Sequence, residues 1–384
     1  MRIVAVDVFA LRTPLARPFA FSQGRVTHRS ATLVRVVADT GLEGWGEAFA
    51  QGLEPPQIAA AAIEHALAPL VLGANPLDRH VLWHRMHAAT RDYGRTGSVV
   101  AAISAVDIAL WDLAGHAHGV PVHRLLGGAF RTRIRPYATG FYRLEGRGEA
   151  DRLAAEALAH RDAGFTAMKV KLGFGTADDV AVMRAIGEAL GEGSGIELMV
   201  DANHAYGRRD ALRLGRALEP FALRWYEEPL APEDLEGAAE LRRALDVPIA
   251  AGENAHTPFG FDALLRADAI DVAQPDVGSC GGITAARDIA AMAHARGVAV
   301  NPHVWGSAVV QAAAVQLIAA LPPAHHSLLP AEPLLEYDLS DHPFRRELVA
   351  RPLELDADGL VAVPDGPGLG IEVRAGAVER YRVR

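Results

Sequence analysis

Lysine is nearly absent from this 384-residue chain: of 38 basic side chains only Lys169 and Lys171 are lysines, with one valine between them. Arginine stays protonated in proteins, so a chain that otherwise uses arginine has kept a titratable amine at one place alone. Cysteine is scarcer still, with Cys280 by itself, which excludes an internal disulfide and fits a reducing compartment. Positive charge is short overall. The formal net charge of −9 is the reverse of the basic footprint that nucleic acids select, so no nucleic-acid partner is expected. A local cationic pocket for an anionic substrate is compatible with that total. Long apolar runs are also missing. Stretches such as 309–320 are shorter than a membrane span, and residues 1–7 show no signal-type run with a cleavage site. The expectation is a soluble, cytoplasmic protein with no membrane partner. Core material is plentiful, since 50% of residues are hydrophobic and 22% charged.

Residues 1–49 alternate apolar and polar positions, with a turn at Asp39-Thr40-Gly41, and predict an antiparallel sheet. Residues 57–118 carry apolar side chains at helical spacing, among them Ile103, Val106, Leu110 and Leu113. Beyond Gly127-Gly128 short apolar runs alternate with amphipathic segments. The runs lie at 134–140, 167–172, 197–202, 223–228, 248–253, 270–276, 298–303 and 326–332. Segments such as 151–163 and 283–296 read as helices closed by Gly164 and Gly297. Eight strands in strand–helix alternation predict an α/β fold with a closed parallel barrel. The proline-rich tail leads into two further strand candidates, 353–363 and 370–373, and is expected to return to the N-terminal unit. The predicted units are an α+β capping domain at 1–127, a barrel at 128–340 and a returning segment at 341–384.

Lys171, Asp201, Glu227, Glu253, Asp276 and His303 stand at or near the C-terminal ends of successive strand candidates. Their separations of 30, 26, 26, 23 and 27 residues are each about one strand–helix unit. A closed barrel gathers such positions at one mouth, where barrel enzymes carry their active sites. Taken singly, each carboxylate serves equally well as a helix or turn cap. In shared register, Asp201, Glu227 and Glu253 are buried charges that call for a cation, and an all-oxygen set favours Mg²⁺ or Mn²⁺ over zinc.

Lys169 and Lys171 face the same side of their strand. Two adjacent ammonium groups depress each other's pKa, so one is expected to act as a neutral base near pH 7. His303 lies one strand beyond Asp276, which can orient its imidazole and raise its basicity. A lysine and a histidine so placed approach a central substrate from opposite faces.

Together these residues resemble the enolase superfamily in its mandelate-racemase-like branch. The matching text is Lys169-Val170-Lys171, Asp201-Ala202-Asn203, Glu227-Glu228-Pro229, Gly252-Glu253-Asn254, Gln274-Pro275-Asp276 and Pro302-His303, with Asp107–Asp112 and 364–370 extending the match over nearly the whole chain. The resemblance implies a (β/α)₇β TIM-type barrel with an N-terminal α+β capping domain completed by the C-terminal tail. It implies one Mg²⁺ per subunit on Asp201, Glu227 and Glu253, holding a substrate carboxylate and stabilising an enediolate after proton removal, as described for this superfamily. Lys171 becomes a base tuned by Lys169, and His303 with Asp276 the base or acid on the other face. Asn203 is placed near the substrate carboxylate, and a strand-eight carboxylate is either Glu332 or Glu336. A homo-oligomer is implied as well.

A narrower resemblance, to galactarolactone cycloisomerases and neighbouring sugar-acid dehydratases, rests on Tyr137–Gly140, Lys171–Gly175, Asp201–Tyr206, His303–Gly306 and Phe344-Arg345-Arg346. The text departs at Asn254–Pro258. The expected partner is therefore a small carboxylate, an acid sugar or its lactone, read by cap loops 17–29 and 49–52 (Gln23 and Arg25 among them) and by Tyr142, Arg143, His204 and Trp305. Loop residues are polar by default, so this set also reads as ordinary surface and packing. Gly278–Gly282 reads as an anion-binding helix start or as a plain turn. His80, His84 and His87 read as a surface helix face. Three reactions fit the constellation: β-elimination after α-proton removal, racemisation or epimerisation of an α-substituted acid, and a metal-free Schiff-base aldolase on Lys171.

Overall fold

In the computed structural model, which describes residues 1–50, 52–325 and 327–383, the chain opens with β1 (Ile3–Phe21), β2 (Gly24–Ala38) and β3 (Glu43–Ala48). They pair antiparallel in that order, and Gly41 takes a φ of 81° at the β2–β3 turn, a conformation glycine adopts without strain. Helix Ser98–His118 lies across β3 at glycine distance. A Cβ on Gly46 would stand 1.9 Å from the Ala105 carbonyl oxygen. That helix is long and apolar enough to cross a membrane, but 89% of its apolar window is buried inside the fold. It is the spine of the N-terminal layer.

Past a short strand β4 (Arg133–Ile134) come eight parallel strands: β5 (Pro136–Thr139), β6 (Ala167–Lys171), β7 (Glu197–Asp201), β8 (Tyr226–Glu227), β9 (Ile249–Ala251), β10 (Val272–Ala273), β11 (Ala299–Val300) and β12 (Leu335–Asp338). They form one curled sheet in the order β11-β10-β9-β8-β7-β6-β5-β12, with helices in the connections. Among the described residues no ladder joins β11 to β12. Side chains bridge that seam: the Leu334 N–H donates to Asn301 Oδ1 at 2.8 Å and the Val304 N–H to Glu336 Oε2 at 2.9 Å. Tyr137, Met199, Trp225, Ala250 and Leu334 pack together as one buried cluster.

The eighth strand is displaced from its expected place. Residue 326 lies outside the described residues, and 327–332 form no strand. Pro330 and Pro333 cannot donate to a ladder, and pairing begins only at Leu335, opposite Pro136. The tail also holds less strand than its alternation suggests. Among the described residues of the tail only β13 (Val361–Ala362) forms, antiparallel to β4, and 370–373 contributes the single bridge Val349↔Val373. The tail does reach the N-terminal layer, where the Leu369 N–H donates to Asp112 Oδ1 at 2.7 Å and the Val383 N–H to Ala10 O at 2.8 Å.

Candidate active site

Strand register sets the site. Lys171 is the direct partner of Asp201, and Asp201 of Glu227, so the three sit level on neighbouring strands. Glu253 follows two residues beyond the end of β9, and one oxygen from each of Asp201, Glu227 and Glu253 lies within 4.8 Å of the others. All three are buried. The Trp225 and Gln274 side chains donate to Glu227 Oε2 at 2.9 and 2.7 Å, while Glu253 Oε2 is buried without a hydrogen-bond partner. Burial, with Asp201 and Glu336 adding to it, pushes Glu227 up to about 7, and burial with Glu228 nearby pushes Glu253 up to about 8. Crowded, partly orphaned, oxygen-only donors are what a hard divalent cation relieves. Asn203, His204 and Glu228, just past these strand ends, hold φ values of 41°, 53° and 42°. Non-glycine residues adopt that region at a cost, and such strain clusters at functional sites.

The lysines differ from expectation. Lys169 Nζ lies 2.6 Å from Glu227 and 2.8 Å from Glu336, and Lys171 Nζ donates to Asp201 Oδ2 at 2.5 Å and to Asn203 Oδ1 at 3.1 Å. Burial lowers both amines, but the surrounding carboxylates outweigh burial and mutual repulsion, and both end above the ordinary lysine value. Two ammonium groups side by side do not make a neutral base when four carboxylates face them. His303 Nδ1 sits 2.6 Å from Asp276, and its Nε2 3.3 Å from Glu253. Burial lowers it, yet Glu253, Glu336 and Asp276 raise it to about 10. Lys171 and His303 come from strands at opposite reaches of the curl and both border one small pocket.

That pocket, of about 20 Å³, has a polar floor of Lys171, Asn203, Glu253 and His303, and a roof of Phe21, Phe49, Tyr142 and Trp305. The remaining nominated residues are placed elsewhere. Glu336 stands behind the floor, accepting from Thr139 Oγ1 at 2.8 Å and from the Val304 N–H, and it takes the strand-eight position. Glu332 does not, since it is paired with Arg131 at the far end of the strands. His204 faces Glu228 at 3.0 Å. Arg143 is fully buried, 3.2 Å from Asp178, and its backbone pairs with Ala20. Gln23 donates to Asn203 O at 2.6 Å and Arg25 to Leu144 O at 2.5 Å, so both hold the β1–β2 tip to barrel loops. Position 51 of the 49–52 loop lies outside the described residues. His87 is buried and stacks on Trp83 and Phe259 rather than facing solvent, and His80 lies 3.5 Å from Asp288.

Sequence reasoning missed how the N-terminal layer is fastened to the loops bearing His303 and Asp276. Glu47 of β3 accepts from the Ser307 N–H at 2.8 Å, the Ser307 hydroxyl at 2.5 Å and the Val310 N–H at 3.0 Å, at the start of helix Ala308–Ala320. Asp107 accepts from the Thr284 N–H at 2.9 Å and its hydroxyl at 2.5 Å, at the start of helix Gly282–Ala295. The glycine-rich turn at 278–282 therefore presents its helix N-terminus to a protein carboxylate. A Cβ on Gly282 would stand 2.3 Å from Asp107 Oδ2. Arg29 of β2, the last residue of the 17–29 stretch, pairs with Asp338 at 2.8 Å and lies over the Trp305 ring at 4.2 Å. The capping-box motif could not reveal these contacts, because the capping groups come from another part of the chain.

Residues 3–127 match the mandelate racemase / muconate lactonizing enzyme N-terminal domain, and residues 152–377 the enolase C-terminal domain-like family. The chain is 38% identical over 383 residues to D-galactarolactone cycloisomerase of Agrobacterium fabrum (strain C58 / ATCC 33970), covering 100% of this chain and 99% of that protein. Among solved structures it resembles 3,6-anhydro-D-galactonate cycloisomerase from Zobellia galactanivorans, with a TM-score of 0.89, 34% identity and 100% of both chains covered. It also resembles a racemase from Streptomyces coelicolor A3(2) with bound magnesium, with a TM-score of 0.88, 30% identity, 99% of this chain and 100% of that one. With both of its domains matched, this chain belongs to the mandelate racemase / muconate lactonizing enzyme family, and it is an enzyme of the enolase superfamily.

Proposed function

We propose that this protein removes the proton α to the carboxylate of an acid sugar or its lactone, giving an enediolate from which a β-substituent then leaves, as in a dehydratase or a lactone cycloisomerase. The observation that carries this reading is a single pocket bordered by both Lys171 and His303 beside the Asp201–Glu227–Glu253 cluster. On this reading the chain is a cap (1–127), a (β/α)₇β barrel (128–340) and a returning tail (341–384). The three carboxylates hold one Mg²⁺ per chain, with Mn²⁺ able to replace it. Bound there, the ion supplies positive charge that binds a substrate carboxylate and loosens the protons on Lys171 and His303.

Lys171 and His303 exchange protons with the α-carbon from opposite sides. Asn203 steadies the substrate carboxylate and Lys171, and Lys169 and Glu336 hold the floor in register. Asp276 keeps the His303 ring oriented through Nδ1, leaving Nε2 toward the pocket. Tyr142 and Trp305 wall the sugar chain. The opposed pair also supports a second reading, racemisation or epimerisation, in which the proton taken on one side is returned on the other.

The test is a panel of acid sugars and their lactones incubated with Mg²⁺ in D₂O, followed by NMR and product mass. Loss of water or ring opening is expected, and α-deuteration with inversion alone would select the epimerase reading. Lys171→Ala and His303→Asn should each remove one stereochemical half of α-exchange, by about a hundredfold or more. Unchanged exchange in both variants sinks the two-base assignment. Activity that survives EDTA, together with borohydride trapping of Lys171, would establish the Schiff-base aldolase instead.

A further inference from the structure

Among the described residues, each cationic side chain of the pocket floor has a carboxylate partner. Lys169 is held by Glu227 and Glu336, Lys171 by Asp201 and His303 by Asp276. Beyond the floor, Arg29 is paired with Asp338, and its guanidinium lies over the rings of Trp305 and Phe19, at 4.2 and 5.3 Å from their centres. Arg143 is turned toward Asp178, and His204 toward Glu228. In the floor, five carboxylates (Asp201, Glu227, Glu253, Asp276, Glu336) face three cationic groups (Lys169, Lys171, His303). Among the described residues, the floor therefore holds no unpaired cation for a second substrate carboxylate.

Among the described residues, the opposite side of the pocket carries no charge. Phe49 sets its edge on the His303 ring at 5.5 Å between centres, so the aromatic roof begins directly at the reacting end. Tyr142 accepts from Trp305 Nε1 at 2.6 Å and faces Asp338 at 3.4 Å, which commits its hydroxyl to the wall. A charge placed there would be desolvated against ring faces, whose quadrupole is negative, with no partner within the wall.

From this we infer that the substrate is a monoanion: an aldonate, or a lactone or anhydro acid with one free carboxylate, and not a dianionic aldarate. The inference rests on the proposed proton abstraction and narrows its substrate class. Selection works by omission. The aromatic roof accepts the faces of an uncharged terminus and leaves a second carboxylate uncompensated.

The test uses the Mg²⁺-loaded wild-type protein and matched acids that share configuration along the chain and differ only at the far carbon. That carbon is a hydroxymethyl in the aldonate, a carboxylate in the aldarate and a lactone carbonyl in the aldarolactone. The expected result is kcat/KM for a monoanion about a hundredfold above that for the aldarate, with the difference carried mainly in KM. Calorimetric titration of the Lys171→Ala/His303→Asn double variant should show the same order in binding, without turnover. A preference of tenfold or more for the monoanion in both readouts supports the inference. An aldarate turned over or bound within tenfold of the monoanion, or better, overturns it while leaving proton abstraction intact. Absence of α-deuteration across the whole panel defeats both.

Discussion

Glu336, at residue scale, shows how one carboxylate can organise a floor. It receives Lys169, the Thr139 hydroxyl and the Val304 N–H, and so ties β12 to β5, to β6 and to the loop carrying His303. Its environment, with Lys169 and His303 overcoming burial, holds it well below the usual carboxylate range. The lysines offer an unusually clean report on this floor, because Lys169 and Lys171 are the only two in the chain. Carboxylates hold both amines in the ammonium form. An ion that engages those carboxylates should lower both titration midpoints, Lys171 included. Lysine labelled with ¹³C at Cε should give two signals, and adding Mg²⁺ should move their pH midpoints downward. Midpoints that stay fixed while Mg²⁺ binds would separate the ion from Asp201 and Glu227. Lys171 was legible in the chain because lysine is so rare. The sign of its pKa displacement was not, since that depends on which carboxylates fold around it.

At the scale of elements, the two helices that follow β10 and β11 take N-terminal partners from another layer. A helix leaves its first N–H groups unsatisfied, and Glu47 and Asp107 fill that need across the domain boundary. Burial pushes each carboxyl up to about 7, against the pull of its hydrogen bonds. The folded state therefore binds these protons more tightly than the unfolded chain does. Their contribution is fully present below about 4 and is lost as pH rises toward 7, at up to about 1.4 kcal/mol per pH unit for each group. Glu47→Gln keeps the shape and cannot ionise. Relative to wild type, its thermal stability should improve as pH rises from 5 to 8, and a difference that stays flat over that range would refute the ionisation account. Asp107→Ala leaves the Thr284 donors unpaired and should cost about 1–3 kcal/mol, measured by denaturant unfolding.

For the whole molecule, the pocket of about 20 Å³ is too small for any sugar acid, so binding requires part of the roof to move. The two sides of the N-terminal layer are not equally free to do so. Near β3 the contacts are buried and numerous: Glu47 and Asp107 at two helix starts, Trp83 Nε1 donating to Gly281 O at 2.6 Å, and Trp111 Nε1 donating to Thr284 Oγ1 at 2.9 Å. The β1–β2 tip is held by Ser22 and Gln23 on the Ala202 and Asn203 carbonyls, by Arg25 on the Leu144 carbonyl, by the Ala20–Arg143 pairing and by packing of Phe19 and Phe21 with Tyr142 and Trp305. Hydrogen exchange should show the amides of 15–24 gaining protection when Mg²⁺ and a sugar acid bind, with 44–48 and 104–112 unchanged. Equal change in both regions would remove the distinction between a fixed side and a yielding one.

Local chemistry already determined much of this protein. The alternation of 1–49, the helical spacing of 57–118 and the repeated strand–helix rhythm are set by side-chain periodicity within a few residues. Because that rhythm fixes the interval between strand ends, Lys171, Asp201, Glu227, Glu253, Asp276 and His303 are legible along the chain as one site. Other features depended on which surfaces met. Arg29 and Asp338 are 309 residues apart and Glu47 and Ser307 are 260 apart, so no local pattern links them. The choice of Glu336 over Glu332 came from where pairing with β5 could begin, past Pro333. Only the tertiary structure decided that Arg29 is paired away behind Trp305, and that the pocket has a charged floor and an uncharged roof. Periodicity is written along the chain, whereas the charge balance of a site is a sum over elements brought together by folding.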